Sequence, residues 1–206
     1  MPDLGESILA LPDFDPDAYW NDRGGSNYDA MISIPDYREH LARQRTWFWG
    51  LVNGCKPKTL LDFGCGTGAM FECWVNVPEV FAYDRSHTMI HRARVLNRQQ
   101  KYGYKIIGPD STNPALTPYH DETFDFIAMA TVLAHVKPSD IRALKNELFC
   151  ISKPGAKLAI VTAAPFDDSQ IGYMWNHNYK EFLDGHVKVL DDNVYGPYRY
   201  VEAVRE

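Results

Sequence analysis

Between residues 59 and 162 the chain alternates short apolar runs with longer stretches whose apolar residues recur at helical spacing. The runs beginning at Thr59-Leu60-Leu61, Val80-Phe81-Ala82, Tyr104-Lys105-Ile106, Phe124-Asp125-Phe126 and Ala156-Lys157-Leu158 predict five strands, because strands buried on both faces read as nearly continuous hydrophobic segments. Between them the pattern predicts helices over about Thr67–Asn76, Ser86–Tyr102 and Pro138–Ile151, the last closed by Lys153-Pro154-Gly155. A further helix, Asp36–Asn53, precedes the first strand and ends at Asn53-Gly54. Strands alternating with helical segments make a parallel α/β sheet with right-handed crossovers.

The flanks are less regular. Residues 2–29 are rich in Pro, Asp and Gly and show no period, yet carry Phe14, Tyr19, Trp20 and Tyr28, so an arm packed on something is expected; the helix Asp36–Asn53 either covers one edge or face of the sheet or, with the arm, lids a ligand. After the fifth strand comes an irregular stretch over Ala163–Asn178, then a short helical piece near Tyr179–Leu183. Two closing strands, His186–Leu190 and Tyr198–Val204, are joined by a turn at Gly196-Pro197. No repeat or low-complexity segment interrupts this order, and we read the chain as one domain: residues 1–56 as arm and helix, 57–206 as the core.

Composition narrows the partners. A chain of 206 residues with 45% hydrophobic and 13% aromatic content can bury a full core. Its formal net charge of −6 gives no electrostatic footprint for a phosphate backbone, so nucleic acid is disfavoured. Cys55, Cys65, Cys73 and Cys150 form no C-x-x-C pair. No apolar run approaches membrane-spanning length, and the N-terminus lacks the basic region of a signal peptide. A soluble protein of the reducing cytoplasm, without membrane contact, is expected.

The candidate chemistry begins where the first strand breaks into Asp62-Phe63-Gly64-Cys65-Gly66-Thr67-Gly68. Glycines at alternate positions let the backbone adopt dihedrals closed to other residues and approach a ligand without a Cβ in the way. A helix start directly after them predicts a site for an anionic group. Gly64, Gly66 and Ala69 also satisfy the dinucleotide fingerprint G-x-G-x-x-[G/A], which leaves a nicotinamide-dependent oxidoreductase open. Asp84, ending the second strand twenty positions after Gly64, is placed to accept hydrogen bonds from a ribose in either case.

The acid before the first glycine and the third glycine at Gly68 make D-x-G-x-G-x-G, which resembles the first motif of the class I S-adenosylmethionine-dependent methyltransferases. The likeness runs from Thr59 to about Thr162. It implies a Rossmann-like three-layer α/β/α sandwich whose seven-stranded, mostly parallel sheet has an antiparallel C-terminal strand. It implies that Asp62, Gly64, Cys65, Gly66, Thr67 and Gly68 wrap the methionine end of the cofactor, with Asp62 near its ammonium. Asp84-Arg85-Ser86-His87-Thr88-Met89 is similar to the pattern in which the acid holds the ribose and Met89 packs on the adenine. Asp110 and Ser111 match the pair that bonds the adenine edge, and Ala130 and Thr131 end the strand that faces the methyl group. S-adenosylhomocysteine would be the product, and a small-molecule acceptor is expected because neither an [DNS]-P-P-[YF] tetrad nor a Pro-Cys nucleophile is present.

Other residues carry weaker signals. His135 follows the fourth strand, where a histidine could serve as general base or simply hold structure. Tyr173, Trp175, His177 and Tyr179 are expected near a ring-bearing acceptor, or as plain packing. Arg23 suits a carboxylate if the arm folds over the loop. His87 and His91 have the i, i+4 spacing of a metal pair but no third ligand, so no metal is expected. A non-catalytic module that binds the adenosyl cofactor has the same sequence features.

Overall fold

The computed structural model describes residues 15–23, 26–109, 117–164, 170–171, 174–175, 177, 182–183, 185 and 187–206. Asp110, Ser111, Phe14, Tyr173, Tyr179 and His186 lie outside them, as does the side chain of Arg23.

The five expected strands are β1 (Thr59–Phe63), β2 (Glu79–Tyr83), β3 (Lys105–Ile107), β4 (Phe124–Ala130) and β5 (Ser152–Ala163). Two short strands, β6 (Gln170–Ile171) and β7 (Met174–Trp175), pair with each other apart from the main sheet, which β8 (Val187–Tyr195) and β9 (Tyr198–Arg205) complete. The seven-stranded order is β3-β2-β1-β4-β5-β9-β8, with β1 to β5 parallel and β9 antiparallel to β5. This is the mostly parallel, Rossmann-like sheet expected. Strand order reverses between β1 and β4, and ligands of such sheets bind at the carboxyl ends beside that reversal.

Side-chain alternation along each strand divides the core in two. Leu60, Ala82, Phe126 and Ala128 face one layer with Phe48 and Val52 of α3 (Pro35–Cys55) and Ile90 and Ala93 of α4 (His87–Gln100). Leu61, Ile127, Met129 and Leu158 face the other, with Leu144, Leu148 and Ile151 of α5 (Ile141–Ile151). At the amino ends of β1 and β4, the Asp125 carboxylate accepts from the amides of Lys58 and Thr59 at 3.1 and 2.9 Å and from the Lys153 ammonium at 2.7 Å. Those contacts pin the register between the two central strands.

Four expectations are corrected. The segment after the glycine loop is not an α-helix over Thr67–Asn76: it is a run of turns and a 3₁₀ helix, Phe71–Trp74. Gly68 sits at φ +93°, and Phe71, Cys73 and Trp74 are buried, so packing rather than helical repetition sets this backbone. The arm, read as aperiodic, holds two short helices, α1 (Pro16–Arg23) and α2 (Ser26–Ile32). Strand β5 starts at Ser152, not Ala156, because Gly155 at φ +78° and a register shift between Phe124 and Phe126 let the chain enter the sheet before the regular ladder begins. The first closing strand runs to Tyr195, beyond Leu190, since the register irregularity between Val189 and Asp191 lets pairing with β9 resume.

Candidate functional site

A cavity of about 660 Å³ opens over the carboxyl ends of β1, β2, β4 and β5, at the reversal of strand order. The strand-end residues Phe63, Tyr83, Ala130 and Ala163 contribute to its wall.

Its floor is the glycine loop. Gly64 stands at φ +72°, and a Cβ there would lie 2.2 Å from Val132 Cγ2, so only glycine fits. Gly66, at φ +55°, meets nothing nearer than Tyr28 Cε1 at 3.9 Å, which leaves its Cα face as open cradle. The loop amides are largely satisfied from within: Tyr83 O accepts from Gly64 and Cys65 at 2.7 and 2.9 Å, and Cys65 O accepts from Gly68 at 2.9 Å. The Gly66 amide donates to Asp84 at 2.8 Å. No α-helix begins here, so the expected anion site at a helix N-terminus is absent from this loop. The carboxylate that meets a loop amide is the protein's own.

Asp84 therefore joins two elements. One oxygen accepts from Gly66, and the other accepts from the Ser86 amide at 2.8 Å at the start of α4. Ser86 caps that helix by accepting from the Met89 amide at 3.2 Å. Gly64, Gly66, Asp84, Arg85, Met89, Ala130, Thr131 and His135 all line the cavity. Asp62, Cys65, Thr67 and Gly68 do not; they are packed behind the loop or within it. Asp62 is 1% exposed and accepts from the indole N–H of Trp74 at 2.9 Å. Burial raises its pKa to about 7, opposed by the Trp74 hydrogen bond and assisted by the charge of Asp84.

Thr131 is held at φ +60°, a left-handed conformation that is costly for a β-branched residue. Its amide donates to Val161 O at 2.7 Å and its hydroxyl to Ala130 O at 2.7 Å. Strain of this kind concentrates at ligand sites. His135 follows in a short 3₁₀ turn, Leu133–His135.

The arm forms one wall. Ser86 Oγ donates to Trp20 O at 3.0 Å, Thr88 Oγ1 to Asn21 O at 2.8 Å, and the His87 amide to Asn21 Oδ1 at 2.9 Å. Arg92 and Asp29 form an ion pair at 2.6 Å. These contacts set the Trp20 ring edge-on to Tyr28 at 6.0 Å and to His135 at 5.0 Å, so the indole bridges the arm and the end of β4. Burial, with Asp84 nearby, raises the Tyr28 pKa.

The sequence left open whether the helix beginning at Asp36 covers the sheet or lids the ligand; it does reach the cavity, as the opposite wall, where Asp36, Tyr37, His40, Leu41 and Gln44 of α3 meet Pro197 and Tyr198 of the β8–β9 hairpin, residues not singled out from the sequence as site residues. The ring of His40 lies edge-on to Tyr198 at 5.3 Å. The available signal was the set of polar residues at Asp36, His40 and Gln44, continuing at steps of four the stripe that buries Phe48 and Val52. Trp175 and His177 are half-buried, and His177 Nε2 contacts Val136 O at 2.8 Å. Neither belongs to the cavity lining. No cluster of His, Cys, Asp and Glu suited to a metal occurs among the described residues.

Comparison with known proteins agrees with this geometry. Residues 61–160 match the family model described as a methyltransferase domain. The malonyl-[acyl-carrier protein] O-methyltransferase of Salmonella typhimurium is 28% identical over 154 residues, which cover 74% of this chain and 55% of that protein. The chain thus spans about half the length of this curated relative. Among solved structures, a SAM-dependent methyltransferase from Aquifex aeolicus superposes with a TM-score of 0.62 at 20% identity, covering 94% of this chain and 100% of that one. DhpI in complex with SAH superposes with a TM-score of 0.70 at 19% identity, covering 91% and 94%. By its matched segment, just under half of the chain, its strand order and its glycine-floored cavity, the chain is similar to the S-adenosylmethionine-dependent methyltransferases.

Proposed function

We propose that the protein transfers a methyl group from S-adenosylmethionine to a small organic acceptor by in-line displacement. The observation that carries this reading is the juxtaposition of the open face of Gly66 with Asp84, Ser86 and Met89 around one end of a single cavity. The residues fit the cofactor: Gly66 offers a cradle that a Cβ would fill, Asp84 presents a carboxylate for ribose hydroxyls, and Met89 offers an apolar surface for a base. When bound, the sulfonium supplies an activated methyl group.

The chain's own part is positioning. Gly64 and Gly66 set the floor, Asp84 fixes the loop to α4, and Trp20 and Tyr28 wall off solvent above it. Holding donor and acceptor in line contributes on the order of 7–11 kcal/mol to such a reaction without any proton transfer. His135 lies in the wall near the end of β4, where a base for a protic acceptor would stand. Asp110 and Ser111 are proposed, on the family motif alone, to bond the adenine edge.

The acceptor reading is supported by a largely apolar, partly aromatic lining of a size that suits small molecules. Among the described residues no helix is long and apolar enough to cross a membrane. The nicotinamide alternative has no counterpart among the relatives above. Calorimetry with S-adenosylmethionine, S-adenosylhomocysteine and NAD tests the assignment: heat from both adenosyl ligands and none from NAD is expected. Micromolar NAD binding with silent adenosyl ligands would overturn it, and an adenosyl-binding protein that methylates nothing in a broad acceptor screen would leave only the binding module.

A further inference from the structure

Helix α3 carries one stripe at steps of four residues: Asp36, His40, Gln44, Phe48, Val52. Phe48 and Val52 are core residues at 0% and 2% exposure, whereas Asp36, His40 and Gln44 line the cavity. The stripe turns from apolar to polar where the helix leaves the sheet and reaches the cavity. Depth falls along it as well: Gln44 is 4% exposed, His40 is half-buried and Asp36 is exposed at the mouth. At 1.5 Å per residue the three span about 12 Å along the helix axis.

Gln44, 4% exposed, is the deepest of the three and lines the cavity, where its amide offers two donors and an acceptor to a molecule held there. Aromatic rings flank the stripe, with Tyr198 edge-on to His40 and Tyr37 beside it at the mouth. Charge is also one-sided. Among the described lining residues Asp36, Asp84 and Asp140 are acidic and Arg85, adjacent to Asp84, is the one Lys or Arg.

We propose that Asp36, His40 and Gln44 form the recognition face for the methyl acceptor, and that the acceptor is a ring-bearing molecule with a neutral or cationic polar head rather than a carboxylate. This rests on the methyltransferase reading above and specifies the substrate class of that same cavity. The Gln44 amide bonds the acceptor at the deep end of this wall, Tyr198 packs against the ring, and Asp36 receives the polar or cationic head at the mouth. A carboxylate head would meet Asp36 with no cation from α3 or the hairpin among the lining residues to offset it.

The test uses two probes with the same phenol ring and opposite heads, tyramine and 3-(4-hydroxyphenyl)propanoate, titrated by calorimetry into the full chain saturated with S-adenosylhomocysteine. Tyramine is expected to bind at least about tenfold tighter. Gln44→Leu and His40→Phe should each weaken tyramine by about tenfold while leaving S-adenosylhomocysteine affinity within twofold; the leucine keeps much of the glutamine's volume and the phenylalanine keeps a ring, so both should fold. Equal or tighter binding of the propanoate, or binding of neither probe, overturns the proposal. So does a Gln44→Leu variant that loses S-adenosylhomocysteine in step with tyramine, since the amide would then belong to the cofactor. Failure of the native protein to bind S-adenosylhomocysteine would instead bring down the methyltransferase reading itself, and this proposal with it.

Discussion

The indole of Trp74 donates its N–H to the carboxylate of Asp62 at 2.9 Å, and both side chains are buried. The bond fixes the turn after the glycine loop to the strand before it. It also keeps a carboxylate where water does not reach.

A pH dependence follows. The folded protein holds Asp62 at about 7, above the ordinary carboxylate value of about 3.9, so between roughly pH 4 and 7 the folded state binds more protons than the unfolded one. This contribution is present below the unfolded value and is lost as pH rises to the folded one, amounting to as much as roughly 4 kcal/mol. Asp62→Asn, which keeps an oxygen for Trp74, should raise the unfolding free energy at pH 8 and flatten the decline between pH 4 and 7. Denaturant unfolding at several pH values checks it; an Asn variant that tracks the native curve would show that Asp62 does not titrate in this range.

Two glycines separate stability from binding. Gly64→Ala places a Cβ 2.2 Å from Val132 Cγ2 in a left-handed conformation and should cost roughly 2–5 kcal/mol of stability. Gly66→Ala puts its methyl into the open cradle, so it should lose about 1–2 kcal/mol in folding but most of its affinity for S-adenosylhomocysteine. Thermal melts and calorimetry on both variants check the contrast, which fails if Gly66→Ala binds normally.

Asp84→Asn should damage both properties, because one of its two oxygens becomes an NH₂ group facing either the Gly66 or the Ser86 amide. Loss of a charge-assisted bond predicts a drop of about 10- to 150-fold in S-adenosylhomocysteine affinity together with a lower melting temperature. A weaker ligand with unchanged melting would show that the loop stands without this brace.

Thr131→Gly relieves the left-handed strain and should match or exceed the native stability, whereas Thr131→Val keeps the strain and loses the hydroxyl bond to Ala130, costing about 1 kcal/mol. Paired denaturant melts decide it. If Thr131→Gly is the less stable of the two, the side chain's packing outweighs its backbone cost.

Trp20→Ala removes the ring that spans from Tyr28 to His135. Release of S-adenosylhomocysteine should quicken by about tenfold, as expected when a wall that excludes solvent is opened. Stopped-flow displacement measures it; an unchanged off-rate would make the arm a structural cover alone.

The sequence made the sheet legible because its central strands are buried on both faces, and runs such as Leu60-Leu61 or Phe126–Ala130 have few other readings. The acid at Asp84 was legible for the same reason, as a polar residue ending such a run. Phe71, Cys73 and Trp74 misled, because buried apolar residues crowd a 3₁₀ turn as readily as they stripe a helix. Asp62 shows a different limit: whether an acid faces a ligand or a tryptophan depends on where residue 74 comes to rest. That α3 could reach the site stood as one of two readings of its pattern, but Asp36, His40, Gln44 and Tyr198 were not legible as site residues, because a wall assembled from distant segments leaves no local motif.

That assembly has a temporal side. The cavity is walled by Trp20 from α1, His40 from α3, Asp84 after β2, Thr131 after β4 and Tyr198 from β9. During synthesis the arm emerges about 65 residues before its partners Ser86 and Thr88 exist, and α3 waits far longer for the hairpin that carries Tyr198. The glycine loop can therefore turn long before there is a chamber above it. A translation-arrested chain stopped short of β9 should hold the loop but not the enclosed pocket, so competence to retain ligand arises only once β9 has emerged rather than when the recognisable motif leaves the ribosome.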